Sequence, residues 1–100
     1  MQWYKCYIWT VRLTFDPAKS RQVKQKHGIS LQEAREIFDQ AYIVDRKNDN
    51  PEQCRAIGWC RGRLCSVIFE IRRDSNGEHY HLITAWKATK REEESYAENV

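Results

Sequence analysis

The stretch from Cys54 to Trp86 constrains the fold more than any other part of the chain. Three strand-like runs, 54–60, 63–72 and 79–86, are separated by "RG" at Arg61 and Gly62 and by "DSNGE" at 74–78. Both separators carry the glycine that tight turns need, and connections this short join only antiparallel neighbours. The three runs therefore form a meander. In the middle run Cys65, Val67, Phe69 and Ile71 alternate with Leu64, Ser66, Ile68, Glu70 and Arg72, so one face packs while Glu70 and Arg72 leave the other together.

Upstream, Tyr7, Trp9, Val11, Leu13 and Phe15 alternate with Ile8, Thr10, Arg12 and Thr14, a period of two that predicts a half-buried strand over 7–15. Asp16 is an N-cap with Pro17 at the first helical position, and Gly28 closes that helix after Lys26 and His27. With only Ala18 and Val23 apolar, helix 17–27 is a surface helix. Ser30 and Glu33 form a capping box ahead of Leu31, Ala34, Ile37, Phe38 and Ala41, which mark a core helix. A short strand at 41–44 follows, then "DRKNDNPEQ", a polar loop with turn chemistry at Asn48, Asp49, Asn50 and Pro51. Thr89 and Glu92 make a second capping box, with Glu92, Glu93 and Glu94 in the first turn of a last helix. Lys87 falls in the junction before it. Lys90 and Arg91 stand against the helix dipole at a few tenths of a kcal/mol each, which invites a functional reading beside the plain one that they are merely solvated. The expected fold is α+β, a small antiparallel sheet in the order β-α-α-β-β-β-β-α.

A chain of 100 residues is one domain, 1–100, that buries perhaps ~65% of its unfolded surface. Its charged fraction of 31% and mean hydropathy of −0.82 argue against a membrane protein. No run approaches the roughly 18 apolar residues of a spanning helix, and Lys5, Thr10 and Arg12 interrupt the start as a signal peptide, so a cytoplasmic location is expected. Cys6, Cys54, Cys60 and Cys65 fit neither a disulfide framework nor zinc spacing and read as buried thiols. Residues 17–32 carry Lys19, Arg21, Lys24 and Lys26 without an acid, whereas 92–100 carry Glu92, Glu93, Glu94 and Glu98 without a base. The glycines are accounted for by caps, strands and turns, and no phosphate-binding loop, nucleophile elbow or paired-carboxylate signature occurs.

Five motifs in order, "FDPAK" at 15–19, "KHGIS" at 26–30, "AIG" at 56–58, "GRL" at 62–64 and "ITAWKATKRE" at 83–92, resemble the BrnT family of type II toxins over about 13–96. Residues 1–12 extend beyond the usual family start. The resemblance implies a RelE-like fold, cleavage of RNA that inhibits translation and growth, and neutralisation by a cognate ribbon-helix-helix antitoxin. It also implies that operator DNA is met only through the toxin-antitoxin complex. It assigns Lys26, His27 and Gly28 to the family's helix-ending turn, and Lys87, Ala88, Thr89, Lys90 and Glu92 to its strand-to-helix junction. The chain departs from the pattern at Val23 (Asn is usual), Trp86 (Arg), Ile71 (an acid often follows a Thr), and His79 and His81 (Arg or Lys).

A metal-free ribonuclease of this kind activates a ribose 2′-hydroxyl against the adjacent phosphate, which needs a base, an acid and cations on the phosphorane. Lys87 and Arg72 are the leading phosphate cations. For proton transfer His81 and Glu70 rank ahead of His27, His79 and Tyr80. Lys26, His27, Arg55, Arg63, Trp86, Lys90 and Arg91 complete the expected RNA-binding set, Trp86 being the aromatic beside the cations. The competing structural readings are plain: His27 serves as a C-terminal helix charge, and tryptophans on strands are core. His79 and His81 share a strand face, but no third ligand stands at a telling spacing, so no metal or cofactor is expected. A different class of function is a non-catalytic binding module that docks an antitoxin-like partner or RNA through its first and last helices, motivated by Trp86 and Ile71.

Overall fold

The computed structural model describes residues 2–6, 11–49 and 52–100. Asp16 caps helix α1 (Pro17–His27), its Oδ1 accepting the Ala18 N–H at 2.9 Å, and Gly28 ends it at φ 78°, in the left-handed region open to glycine. Ala18 is exposed, as suits a surface helix. The buried residues of α1 are Ser20 and Val23, and Ser20 Oγ accepts the Gln32 N–H at 3.2 Å, tying α1 to the next helix. That helix, α2 (Leu31–Ala34), has the capping box of Ser30 and Glu33 and continues as a 3-10 turn over Arg35–Asp39. Leu31, Ala34, Ile37 and Phe38 are buried along it, while Ala41 lies past its end.

Strands β1 (Tyr4–Cys6), β2 (Leu13–Thr14), β3 (Tyr42–Asp49), β4 (Glu52–Cys60), β5 (Arg63–Asp74) and β6 (Gly77–Lys87) form a 6-stranded sheet in the order β1-β3-β4-β5-β6-β2. The β4-β5-β6 meander is as expected, and its first turn places Arg61 and Gly62 at φ 55° and 80°. Helices α1 and α2 cover one face, burying Val67, Phe69, Leu82 and Ala85 with Phe38 edge-on to Tyr42 and Phe69. Helix α3 (Lys90–Asn99) lies on the other face over Ile43 and Ile57, anchored by Ala88 and Tyr96. The cysteines are free thiols, Cys54, Cys60 and Cys65 buried and Cys6 partly so. Among the described residues no helix is long and apolar enough to cross a membrane.

Three expectations change. Of the strand expected over 7–15, residues 7–10 lie outside the described residues, and the flanking strands sit on opposite edges. β1 is antiparallel to β3, whereas β2 is parallel to β6, so the sheet is mostly rather than wholly antiparallel. The polar stretch after Val44 is largely strand: β3 runs to Asp49, with Asn50 and Pro51 outside the described residues. Arg46, Lys47, Asn48 and Asp49 are all exposed, so no apolar alternation marks this tip of the hairpin. Finally, Ile68 pairs with Thr84 but Phe69 with Leu82, leaving Ile83 as an extra residue in β6. Alternation restarts after the bulge, so Ala85 and Lys87 face the α1-α2 side and His79 and His81 the α3 side.

Candidate active site

Helix α3 is short and packs mainly on β3 and β4, so among the described residues no helix covers the far end of β5 and β6 on that face. On that open shelf Glu70 pairs with His81 and Arg72 with His79 across the two strands, and Gln53 of β4 lies opposite Glu70. β2 adds Thr14 directly beside His81. An open shelf suits a polymer better than a small molecule, which a protein encloses in a pocket. A groove of about 560 Å³ lined by Ser20, Arg21, Lys24, Gln32 and Glu33 lies instead between α1 and α2, over the opposite face, away from these groups.

The Arg72 guanidinium donates through Nε at 3.0 Å and Nη2 at 2.7 Å to Glu70 Oε1, while Gln53 Nε2 donates to Glu70 Oε2 at 3.0 Å. These bonds from Gln53 and Arg72 hold the Glu70 carboxyl below its usual range, so it is ionised at neutral pH and is not an acid there. Arg72 remains 48% exposed and can offer its outer edge to a phosphate. His81 Nδ1 lies 2.8 Å from Thr14 Oγ1. Partial burial, then the nearby Arg72 charge, lowers its pKa below 6.5 despite Glu70, so the ring is neutral at pH 7. His79 Nδ1 is 3.1 Å from Arg12 Nη2, which also donates to Asp74 Oδ1 at 2.8 Å. Among the described residues no group of three or more His, Cys, Asp or Glu is arranged to hold a metal ion.

The expected site residues thus separate. Glu70, Arg72 and His81 come together. Lys87 does not join them: it is six positions along β6 from His81, roughly 20 Å in extended chain, and on the opposite face because of the bulge. It is exposed beside Cys65, on the face that also carries Arg63, whose Nη2 reaches the Gly28 carbonyl at 3.5 Å. Exposed Lys26 and partly exposed His27 end α1 at that same corner, with exposed Lys90 and Arg91 opening α3 nearby in sequence.

Arg55 is not at the surface. Its side chain is 13% exposed, fixed by Asp45 through Nε and Nη2 at 3.1 and 2.9 Å and by Glu92 at 3.2 Å, with the Trp3 ring 4.8 Å away. Trp86 directs its indole N–H to Glu92 Oε1 at 3.0 Å, so its polar edge serves the α3 anchor instead of a base. Thr14, Gln53, Arg12 and Asp45 are the partners that sequence reasoning missed. Each reads as an ordinary polar position, since alternation assigns a face but not a cross-strand neighbour.

Comparison with curated proteins gives no match. A family model described as "Ribonuclease toxin, BrnT, of type II toxin-antitoxin system" matches residues 15–92, from the residue before the Asp16 cap to the Glu92 capping box. That span takes in α1, α2 and the whole meander with its Glu70-Arg72-His81 shelf, and the chain belongs to the BrnT family of type II ribonuclease toxins.

Proposed function

We propose that this protein is a metal-independent endoribonuclease whose reaction centre is the shelf of Glu70, Arg72 and His81, and that cleavage of RNA inhibits translation and growth until a cognate antitoxin masks the protein. The observation that carries this reading is the adjacency of a neutral histidine to an exposed arginine whose guanidinium is held by a carboxylate. His81 Nε2 takes the 2′-hydroxyl proton as the 2′-oxygen bonds to phosphorus. The P–O5′ bond breaks, and O5′ takes a proton from water, leaving a 2′,3′-cyclic phosphate and a 5′-hydroxyl. The imidazolium then returns its proton to the solvent hydroxide. Arg72 meets the charge that develops on the phosphorane, with Glu70 and Gln53 fixing its direction.

Lys26, His27, Arg63 and Lys87, together with Lys90 and Arg91 at the start of α3, bind RNA backbone beyond the reacting phosphate rather than acting on it. Such contacts supply affinity and salt dependence. The fold is read as RelE-like, the antitoxin as ribbon-helix-helix, and operator DNA as bound only by the complex, all in keeping with family membership.

The test is incubation of the purified chain, freed of partner, with a defined RNA in excess chelator, beside Arg72→Ala and His81→Ala. New ends carrying 2′,3′-cyclic phosphate, lost in both variants, support the assignment. Intact RNA that binds folded protein with a steep salt dependence would replace it with the non-catalytic binding module.

A further inference from the structure

The two residues nearest the histidines lie before Phe15, ahead of the span matched to the family. We propose that this N-terminal stretch, Arg12 together with Thr14 of β2, is a positioning strap that sets which nitrogen of each histidine carries a proton, leaving His81 with a basic Nε2 turned to the shelf. This rests on the ribonuclease reading for its catalytic consequence, and on hydrogen-bond chemistry for the positions themselves.

The assignment at His79 follows from donor counting. A guanidinium has donors and no acceptor, so at 3.1 Å Arg12 Nη2 must donate to Nδ1, and Nδ1 must supply a lone pair. A neutral His79 then carries its proton on Nε2. Asp74 Oδ2 stands 3.7 Å from the same Nδ1, beyond a hydrogen bond, and Asp74 Oδ1 is itself taken by Arg12 at 2.8 Å. The same Nη2 also reaches the Gly77 carbonyl at 3.3 Å, so its two hydrogens serve three acceptors, one of them shared, and Arg12 clasps both ends of the β5-β6 turn.

At His81 the hydroxyl of Thr14 lies 2.8 Å from Nδ1 and can donate or accept there; the strap assigns it as acceptor of the Nδ1–H hydrogen bond, which leaves the Nε2 lone pair as the base on the ring. The backbone supports this geometry from the same side. Leu13 and Thr14 pair in parallel with Tyr80 and His81, and the Tyr80 N–H donates to the Arg12 carbonyl at 3.0 Å. The charged and titratable groups around His81 are Arg72 and Glu70 on β5, His79 on its own strand and Asp16 at the start of α1. None of them has a hydrogen bond to Nδ1, so Thr14 alone directs that nitrogen among the described residues.

Long-range proton-nitrogen NMR on the full chain reads the tautomers without needing activity. Nδ1–H at His81 and Nε2–H at His79 are expected, with the His81 pattern moving to a tautomer mixture in Thr14→Val and returning in Thr14→Ser. In Arg12→Gln, the His79 pattern should likewise move to a tautomer mixture. Kinetically, Thr14→Val should lower kcat on the order of tenfold with KM unchanged, a part of the 10²–10⁴ that a positioned base supplies, and Thr14→Ser should restore it. An Nε2–H tautomer at wild-type His81, or a Thr14→Val protein with wild-type tautomers and kcat, overturns the strap. Absence of any cleavage by wild type sinks the ribonuclease reading instead, and the NMR patterns then decide the strap by themselves.

Discussion

Glu92 holds Arg55 at 3.2 Å beneath α3, although Glu92 is a helix-capping residue and Arg55 belongs to the middle of the sheet. One carboxylate thereby does two jobs. Oε1 accepts the Thr89 N–H at 2.9 Å and the Trp86 indole at 3.0 Å, and Oε2 takes the arginine that Asp45 grips from the other side. The last helix contributes few apolar anchors, so this polar joint fixes its position on the sheet.

Removing that carboxylate takes from Arg55 the charge that faces Asp45 across the guanidinium. Truncating one partner of a buried ion pair costs roughly 3–5 kcal/mol, because the remaining charge stays buried. Glu92→Ala is expected to lose about that much in urea unfolding, and Glu92→Gln clearly less, since an amide oxygen still accepts from Thr89 and Trp86. Equal loss in the two variants would mean that the charge facing Arg55, not the cap, carries the whole effect.

Acid should unfold the protein through a small set of carboxylates. Glu33 is lowered from 4.5 to about 2, first by Lys24 and then by the Ser30 N–H. Glu70 is lowered by Gln53 and Arg72; for Glu92, burial alone would raise the pKa, but the Thr89 N–H, Trp86 and Arg55 outweigh it. A carboxylate depressed in the folded state contributes stability that is complete above its unfolded pKa and disappears as pH falls through the folded one. His81, also depressed, adds to the same trend, since below pH 6.5 the unfolded chain takes its proton more readily. The urea midpoint should therefore hold near neutrality and fall steadily from about pH 4.5 toward 2. Glu33→Gln should flatten the lower part of that curve, and a midpoint unchanged down to pH 3 would contradict the ion-pair account.

The glycine of "AIG" has a steric cause. A Cβ on Gly58 would sit 3.0 Å from Ile37 Cγ2 and 3.2 Å from Tyr42 Cβ, and 3.4 Å from the Ile37 carbonyl, with part of the obstacle being backbone. Gly58→Ala is expected to cost about 1–3 kcal/mol as overpacking, which at about 4–8 °C per kcal/mol is an evident fall in Tm. Thermal unfolding within 1 °C of wild type would show that the 3-10 turn carrying Ile37 yields easily.

What the sequence made legible was local. The Asp16, Ser30 and Thr89 caps stand where the residues put them, and so do the turns at Arg61-Gly62 and before Gly77. Glu70 and Arg72 do share a face, as alternation requires. Partners across the fold were not legible. Nothing in the period-two pattern separates β1 from β2 onto opposite edges, and nothing around Ile83 announces the bulge that turns Lys87 away from His81. Arg55 looked like a surface cation because Asp45 and Glu92, which make its burial tolerable, are 10 and 37 positions away in sequence. Side-chain pairs at such separations are set by tertiary packing, and a single sequence carries no record of them.

The separation of Arg72 from Lys87 gives the sharpest kinetic contrast. If Arg72 meets the phosphorane and Lys87 only the trailing backbone, Arg72→Ala should lower kcat by about 10²-fold or more, the scale of losing one preorganised charge donor. Lys87→Ala should raise KM and reduce the salt slope by about one phosphate contact, with kcat kept. Because His81 must be neutral to take the proton, kcat/KM should rise with pH through a pKa below 6.5 and level off above it. That limb should move upward in Arg72→Ala, since the arginine charge is one cause of the depression. A kcat lost in Lys87→Ala and kept in Arg72→Ala would transfer the reaction centre from the open shelf to the corner where β6 meets α3.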